Sequence, residues 1–108
     1  MSRADEGYIA VASVSSFPQS GRLCIEWDDR YLVLVRVEQN FYCLDDVCTH
    51  DGGPLGEGEL DGHCLICPRH GARFDVRSGH ALTMPATEPT ASHSVKVVGD
   101  QILVRLGE

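Results

Sequence analysis

Between Asp45 and Ala86 the chain is interrupted by Gly52, Gly53, Gly56, Gly58, Gly62, Gly71 and Gly79, together with Pro54, Pro68 and Pro85. So many breakers exclude long strands or helices from this stretch. The flanking sequence reads differently. Tyr8–Ala12, Arg22–Trp27, Tyr31–Glu38, Phe41–Leu44, Ser94–Val98 and Gln101–Leu106 are short runs rich in β-branched and aromatic residues, the pattern of strands. Asp28-Asp29 and Glu38-Gln39-Asn40 supply turns between them, and Gly99-Asp100 is a Gly-first pair suited to a type II′ hairpin. No segment has sustained helical periodicity. The expected architecture is all-β: an antiparallel sandwich or small barrel in which a loop-rich subdomain, about 45–86, is inserted and held in shape by what it binds.

The 108 residues suffice for one domain, 1–108, with a modest core. No apolar run approaches the roughly 20 residues that cross a bilayer, and the first residues lack a basic region leading into an apolar stretch. These features predict a cytoplasmic protein with no membrane anchor. The net charge of −7 disfavours nucleic acid and anionic membranes, and it would steer the protein toward a basic patch on a partner. A solvated, soluble surface is the simpler use of that charge, and Asp51, Glu57, Glu59 and Asp61 are read first as such a face.

Five cysteines is an odd number, and cysteines mixed with histidines in a reducing compartment point to metal before disulfides. Cys48-Thr49-His50 is followed after sixteen residues by Cys67-Pro68-Arg69-His70. Each segment thus offers one thiolate and one imidazole. Two Cys–His pairs suit a bridged two-iron, two-sulfide cluster. A structural zinc ion is the competing reading, because Cys64-Leu65-Ile66-Cys67 is also a C-x-x-C pair. With Cys64 the zinc reading has five candidate ligands where four are needed, and it leaves the Pro-x-His-Gly continuation after Cys67 unexplained. Cys64 is therefore expected on the strand entering the second loop and not at the metal. Cys24 and Cys43 sit in apolar strand patterns and are expected to be buried. His63, His80 and His93 lack paired spacing and are expected in turns or at the surface; Trp27, Tyr31 and Tyr42 are expected to be core or half-exposed strand residues.

Cys48-Thr49-His50-Asp51-Gly52-Gly53-Pro54-Leu55 and Cys67-Pro68-Arg69-His70-Gly71-Ala72-Arg73-Phe74-Asp75, with Ser78-Gly79 and Pro85-Ala86 downstream, resemble the Rieske family. The resemblance is to the low-potential ferredoxins that serve multicomponent bacterial aromatic-ring dioxygenases and related monooxygenases. It implies that Cys48 and Cys67 ligate a buried iron of a [2Fe–2S] cluster, while His50 and His70 ligate the outer iron through Nδ1. It also implies an electron carrier, not an enzyme, working as a monomer between a flavin-containing NAD(P)H reductase and a terminal oxygenase. His50, His70, Pro54, Leu55, Pro68 and Arg69 would then form the contact tip.

High-potential relatives add a disulfide clamp at positions that here are Gly53 and Arg69, and hydroxyl donors where this chain has Ala72 and Phe74. Losing such donors destabilises the reduced cluster more than the oxidised one and lowers the potential. A small subunit of a nitrite-reductase-like complex shares the implied fold, but members of that group often lack the ligands. A zinc-stabilised interaction module is the remaining alternative. The chain has no Gly-rich dinucleotide fingerprint and no second iron site of two histidines and a carboxylate.

Overall fold

The computed structural model describes residues 7–27, 29–47, 54–68, 71–84 and 88–106. Every regular element among them is a strand: β1 (Ile9–Ser13), β2 (Arg22–Trp27), β3 (Arg30–Val37), β4 (Asn40–Asp45), β5 (Leu60–Asp61), β6 (Cys64–Ile66), β7 (Arg73–Asp75), β8 (Ser92–Val98) and β9 (Gln101–Arg105). The expected all-β antiparallel class is what the structure shows. β2 occupies its predicted span, and the other five predicted strands shift by one or two residues at their ends. β5, β6 and β7 add two- and three-residue strands inside the loop-rich stretch, too short to announce themselves by alternation.

Six strands form one sheet in the order β1-β9-β8-β4-β3-β2, all antiparallel, and β5-β6-β7 form a second. The β8–β9 hairpin turns at Gly99-Asp100 with Val98 opposite Gln101. Gly99 has φ 60° and is the one residue of the pair in the positive-φ region, as a type II′ turn requires. Asp100 then accepts the backbone N–H and the hydroxyl of Ser15 on its carboxylate, fixing the exit of β1.

β3 explains the layering. Leu32, Val33, Leu34 and Val35 are all fully buried, so neither face of this strand meets water. Because side chains alternate, Leu32 and Leu34 enter an outer core with Phe17, Cys43, Ile102 and Val104. Val33 and Val35 enter an inner core with Leu44, Leu55, Leu65, Cys67, Ala72, Phe74 and Val76. The inner core joins the small sheet to the large one. Among the described residues no helix is long and apolar enough to cross a membrane.

Candidate metal centre

The second ligand segment is a hairpin loop. β6 pairs with β7 through Leu65–Phe74 and Ile66–Arg73. One step further, the Cys67 N–H donates to the Ala72 carbonyl at 2.7 Å, and the Gly71 N–H donates to the Cys67 carbonyl at 3.0 Å. These bonds fix the Cys67 backbone at the base of the loop. Its side chain is 1% exposed and packs with Leu55, Ala72 and Phe74. A thiol in this position offers a soft donor next to the loop that bears His70, which fits an iron–sulfur ligand. Cys48, His50, Arg69 and His70 lie outside the described residues, as do Gly53, Asp51 and Pro85-Ala86.

The return limb of the first ligand segment is packed onto the second. Leu55 is fully buried in the inner core beside Cys67. The Gly58 N–H donates to the Leu55 carbonyl at 3.0 Å, and the Ile66 N–H donates to the Glu59 carbonyl at 2.9 Å. Gly58 lies so close to β6 that a Cβ there would stand 1.6 Å from the Ile66 carbonyl oxygen and 3.2 Å from Pro68 Cδ. Only glycine permits that approach. The two ligand segments are therefore held against each other by a backbone contact at Ile66, the residue before Cys67.

At its other end the first segment leaves β4 through two adjacent aspartates whose side chains diverge. Asp45 faces His93, whose Nε2 lies 2.8 Å from Asp45 Oδ1, and Arg30 at 3.5 Å. The Asp46 N–H donates to the Tyr31 carbonyl at 3.0 Å, while Asp46 Oδ1 accepts the Gly56 N–H at 2.6 Å. Sequence reasoning named Gly56 and Gly58 only as breakers and did not single out Asp46. Their signal is faint: a Gly-x-Gly pair after a buried leucine, and a carboxylate two residues before a candidate ligand.

Several expectations are corrected. Leu55 cannot belong to a contact face because it is fully buried; the exposed apolar residues flanking the ligand segments are Val47, Pro54, Pro68, Leu82 and Met84. His93 is a buried partner of Asp45, not a surface residue. Cys24 is exposed, because β2 is the edge of the sheet. Its sulfur nevertheless lies against Gly56, and burial, followed by the charge and hydrogen bond of Asp46, pushes its thiol up to about 11. Tyr31 is 61% exposed and belongs to no core.

Other expectations are met. Cys43 is buried and its thiol is pushed up to about 12 by that burial. His63 is half-buried with its ring edge-on to Tyr42, and His80 is exposed beside Ser78 in a turn. Glu57, Glu59 and Asp61 face solvent. Cys64 opens β6 opposite Asp75. Three steps of a strand put residues 64 and 67 on opposite faces and roughly 10 Å apart, so they cannot form the tight C-x-x-C turn of a zinc knuckle.

The sequence pattern described as Rieske [2Fe-2S] domain matches residues 7–104. The ferredoxin component of the naphthalene 1,2-dioxygenase system of Pseudomonas aeruginosa is 32% identical over 101 residues, covering 94% of this chain and 97% of that one. The ferredoxin component of the p-cumate 2,3-dioxygenase system of Pseudomonas putida is 43% identical over 77 residues, 70% of this chain and 65% of that one. Among solved structures, a complex of reduced oxygenase and oxidised ferredoxin in carbazole 1,9a-dioxygenase superposes with a TM-score of 0.85 at 30% identity, covering 92% of this chain and 93% of that one. With the buried Cys67 thiol at the base of its hairpin and a match spanning nearly its whole length, the chain belongs to the Rieske [2Fe–2S] domain family.

Proposed function

We propose that this protein is the ferredoxin component of an aromatic-ring oxygenase system. It takes single electrons from a flavin-containing NAD(P)H reductase and delivers them to a terminal oxygenase, acting as a monomeric single domain in the cytoplasm. Cys48, His50, Cys67 and His70 hold the [2Fe–2S] cluster. When bound, the cluster supplies reversible one-electron exchange at a potential set by its ligands and by the hydrogen bonds around them. The carrying observation is the placement of Cys67: buried, fixed by the bonds that close its loop, and packed against the return limb of the first ligand segment.

The protein's own residues then have separable tasks. The loop-closing bonds of Cys67 and the Gly58–Ile66 contact limit movement of the ligand segments, which keeps reorganisation on electron transfer small. Ala72 and Phe74 are fully buried and bring no hydroxyl to the site, which favours a low potential. Pro54, Pro68, Leu82 and Met84 present an exposed apolar rim for brief docking, in keeping with the small interfaces of transient redox partners. Free Cys24, Cys43 and Cys64 in one small chain support a reducing compartment.

Metal and sulfide analysis of the purified protein tests the reading. Two irons and two labile sulfides per chain are expected, and Cys64→Ser keeps the cluster spectrum while Cys67→Ser or His70→Ala abolishes or transforms it. One zinc and no sulfide, in protein made with adequate iron, overturns it.

A further inference from the structure

We propose that Asp46 is a positioning residue: its carboxylate ties the outgoing and returning limbs of the segment that carries Cys48 and His50, and so holds those ligands to the cluster. The inference rests on the ligand assignment above. Asp46 is anchored to the large sheet by its own N–H on the Tyr31 carbonyl, and its Oδ1 receives the Gly56 N–H at 2.6 Å. The acceptor is a carboxylate, so the hydrogen bond is charge-assisted. It spans ten positions of sequence and closes the interval containing residues 48–53 with one side-chain contact.

Three further observations place the clamp where it acts on ligand geometry. The Cys24 sulfur, on β2, lies at the same glycine, so three parts of the chain meet there. Gly56 is confined there: a Cβ on it would stand 2.4 Å from Cys24 Sγ and 3.3 Å from Asp46 Oδ1. Its neighbour Leu55 is packed in the inner core beside Cys67, so the position of the returning limb is transmitted to the second ligand segment. Asp45 cannot substitute, because its carboxylate is engaged with His93 and Arg30.

The test uses anaerobically purified holoprotein. Cluster release into excess chelator is followed by loss of visible absorbance, and the reduced protein is examined by electron paramagnetic resonance. Asp46→Ala should release its cluster at least about tenfold faster than wild type, the loss of one hydrogen bond to a charged group, and should give a broadened spectrum. Asp46→Asn keeps an oxygen that accepts the Gly56 N–H and should largely restore both. Val104→Ala, which opens a cavity in the outer core, measures how much release follows from lost stability alone. The proposal is overturned if Asp46→Ala releases no faster than Val104→Ala at an equal loss of Tm, or if Asn behaves as Ala does. Should Asp46→Ala fail to fold, Asp46→Ser, too short to reach Gly56, carries the same expectation. Wild type lacking two irons and sulfide refutes the ligand assignment itself, whereas a wild-type cluster held equally by Asp46→Ala refutes only the clamp.

Discussion

Replacing Gly58 by alanine should loosen the junction between the two ligand segments by an amount that the geometry sets. The added Cβ would begin 1.6 Å from the Ile66 carbonyl oxygen, where contacts below 3.0 Å are essentially never seen, so the limb and β6 must separate by about 1.4 Å. The Ile66 N–H to Glu59 carbonyl bond, now 2.9 Å, cannot survive that separation. Overpacking of this kind costs about 1–3 kcal/mol and a lost hydrogen bond about 1 more, giving about 3 kcal/mol. For a domain of this size that lowers Tm by about 15 °C. Gly62→Ala is the control: it has nothing within 4 Å but a φ of 61°, so it carries left-handed strain alone, about 1 kcal/mol and about 5 °C. Both variants can be followed as holoprotein by circular dichroism and by visible absorbance. If Gly58→Ala loses no more stability than Gly62→Ala, the two segments are not in backbone contact and the reasoning fails.

The midpoint potential should lie near the lower end of the Rieske interval, about −150 mV. Ala72→Ser should raise it by tens of millivolts in protein-film voltammetry; an unchanged or lower value would show that a hydroxyl there does not reach the cluster. Arg77 hydrogen-bonds the Asp75 carboxylate and holds it below the usual carboxylate range, so the pair stabilises the fold above the unfolded carboxylate pKa and stops doing so as pH falls through the folded one. Arg77→Gln should accordingly lower Tm at pH 6, and the gap to wild type should close below about pH 4. Reduction by the cognate reductase should slow as salt rises, given the charge of −7. Met84→Glu should slow delivery to the oxygenase in stopped-flow mixing. Val98→Glu, at the opposite end of β8 from the Ser92–Leu44 pairing, should not.

The sheet was readable because its determinants are local. β2 and the Gly99-Asp100 hairpin follow from alternation and turn chemistry within a few residues. What was not readable depends on partners distant in sequence. His93 is buried because Asp45 lies 48 positions away across the β4–β8 pairing, and Cys24 is exposed because β2 ends the sheet, which alternation alone does not encode. Leu55 looked like a loop-tip residue among glycines and prolines; its burial depends on the inner core assembled by β6, β7 and β3. Of the site, the donor types and their spacing can be read from the sequence, and the place of Cys64 on the strand entering the second loop is as expected. The clamp and the backbone contact at Gly58 cannot be read there, since both are close approaches between segments and leave only an extra glycine in the sequence.

β3 is bonded along its length to β2 on one side and β4 on the other, and four consecutive side chains of it are sealed from water. The small sheet is joined by only two pairings between β5 and β6 and three between β6 and β7. In deuterated solvent the amides of Leu32–Val35 should therefore exchange last, by opening of the whole molecule, while those of β5–β7 exchange earlier through a local opening. Such a local opening would loosen the ligand segments while leaving the large sheet intact, and would give iron and sulfide a way into a chain whose frame is already folded.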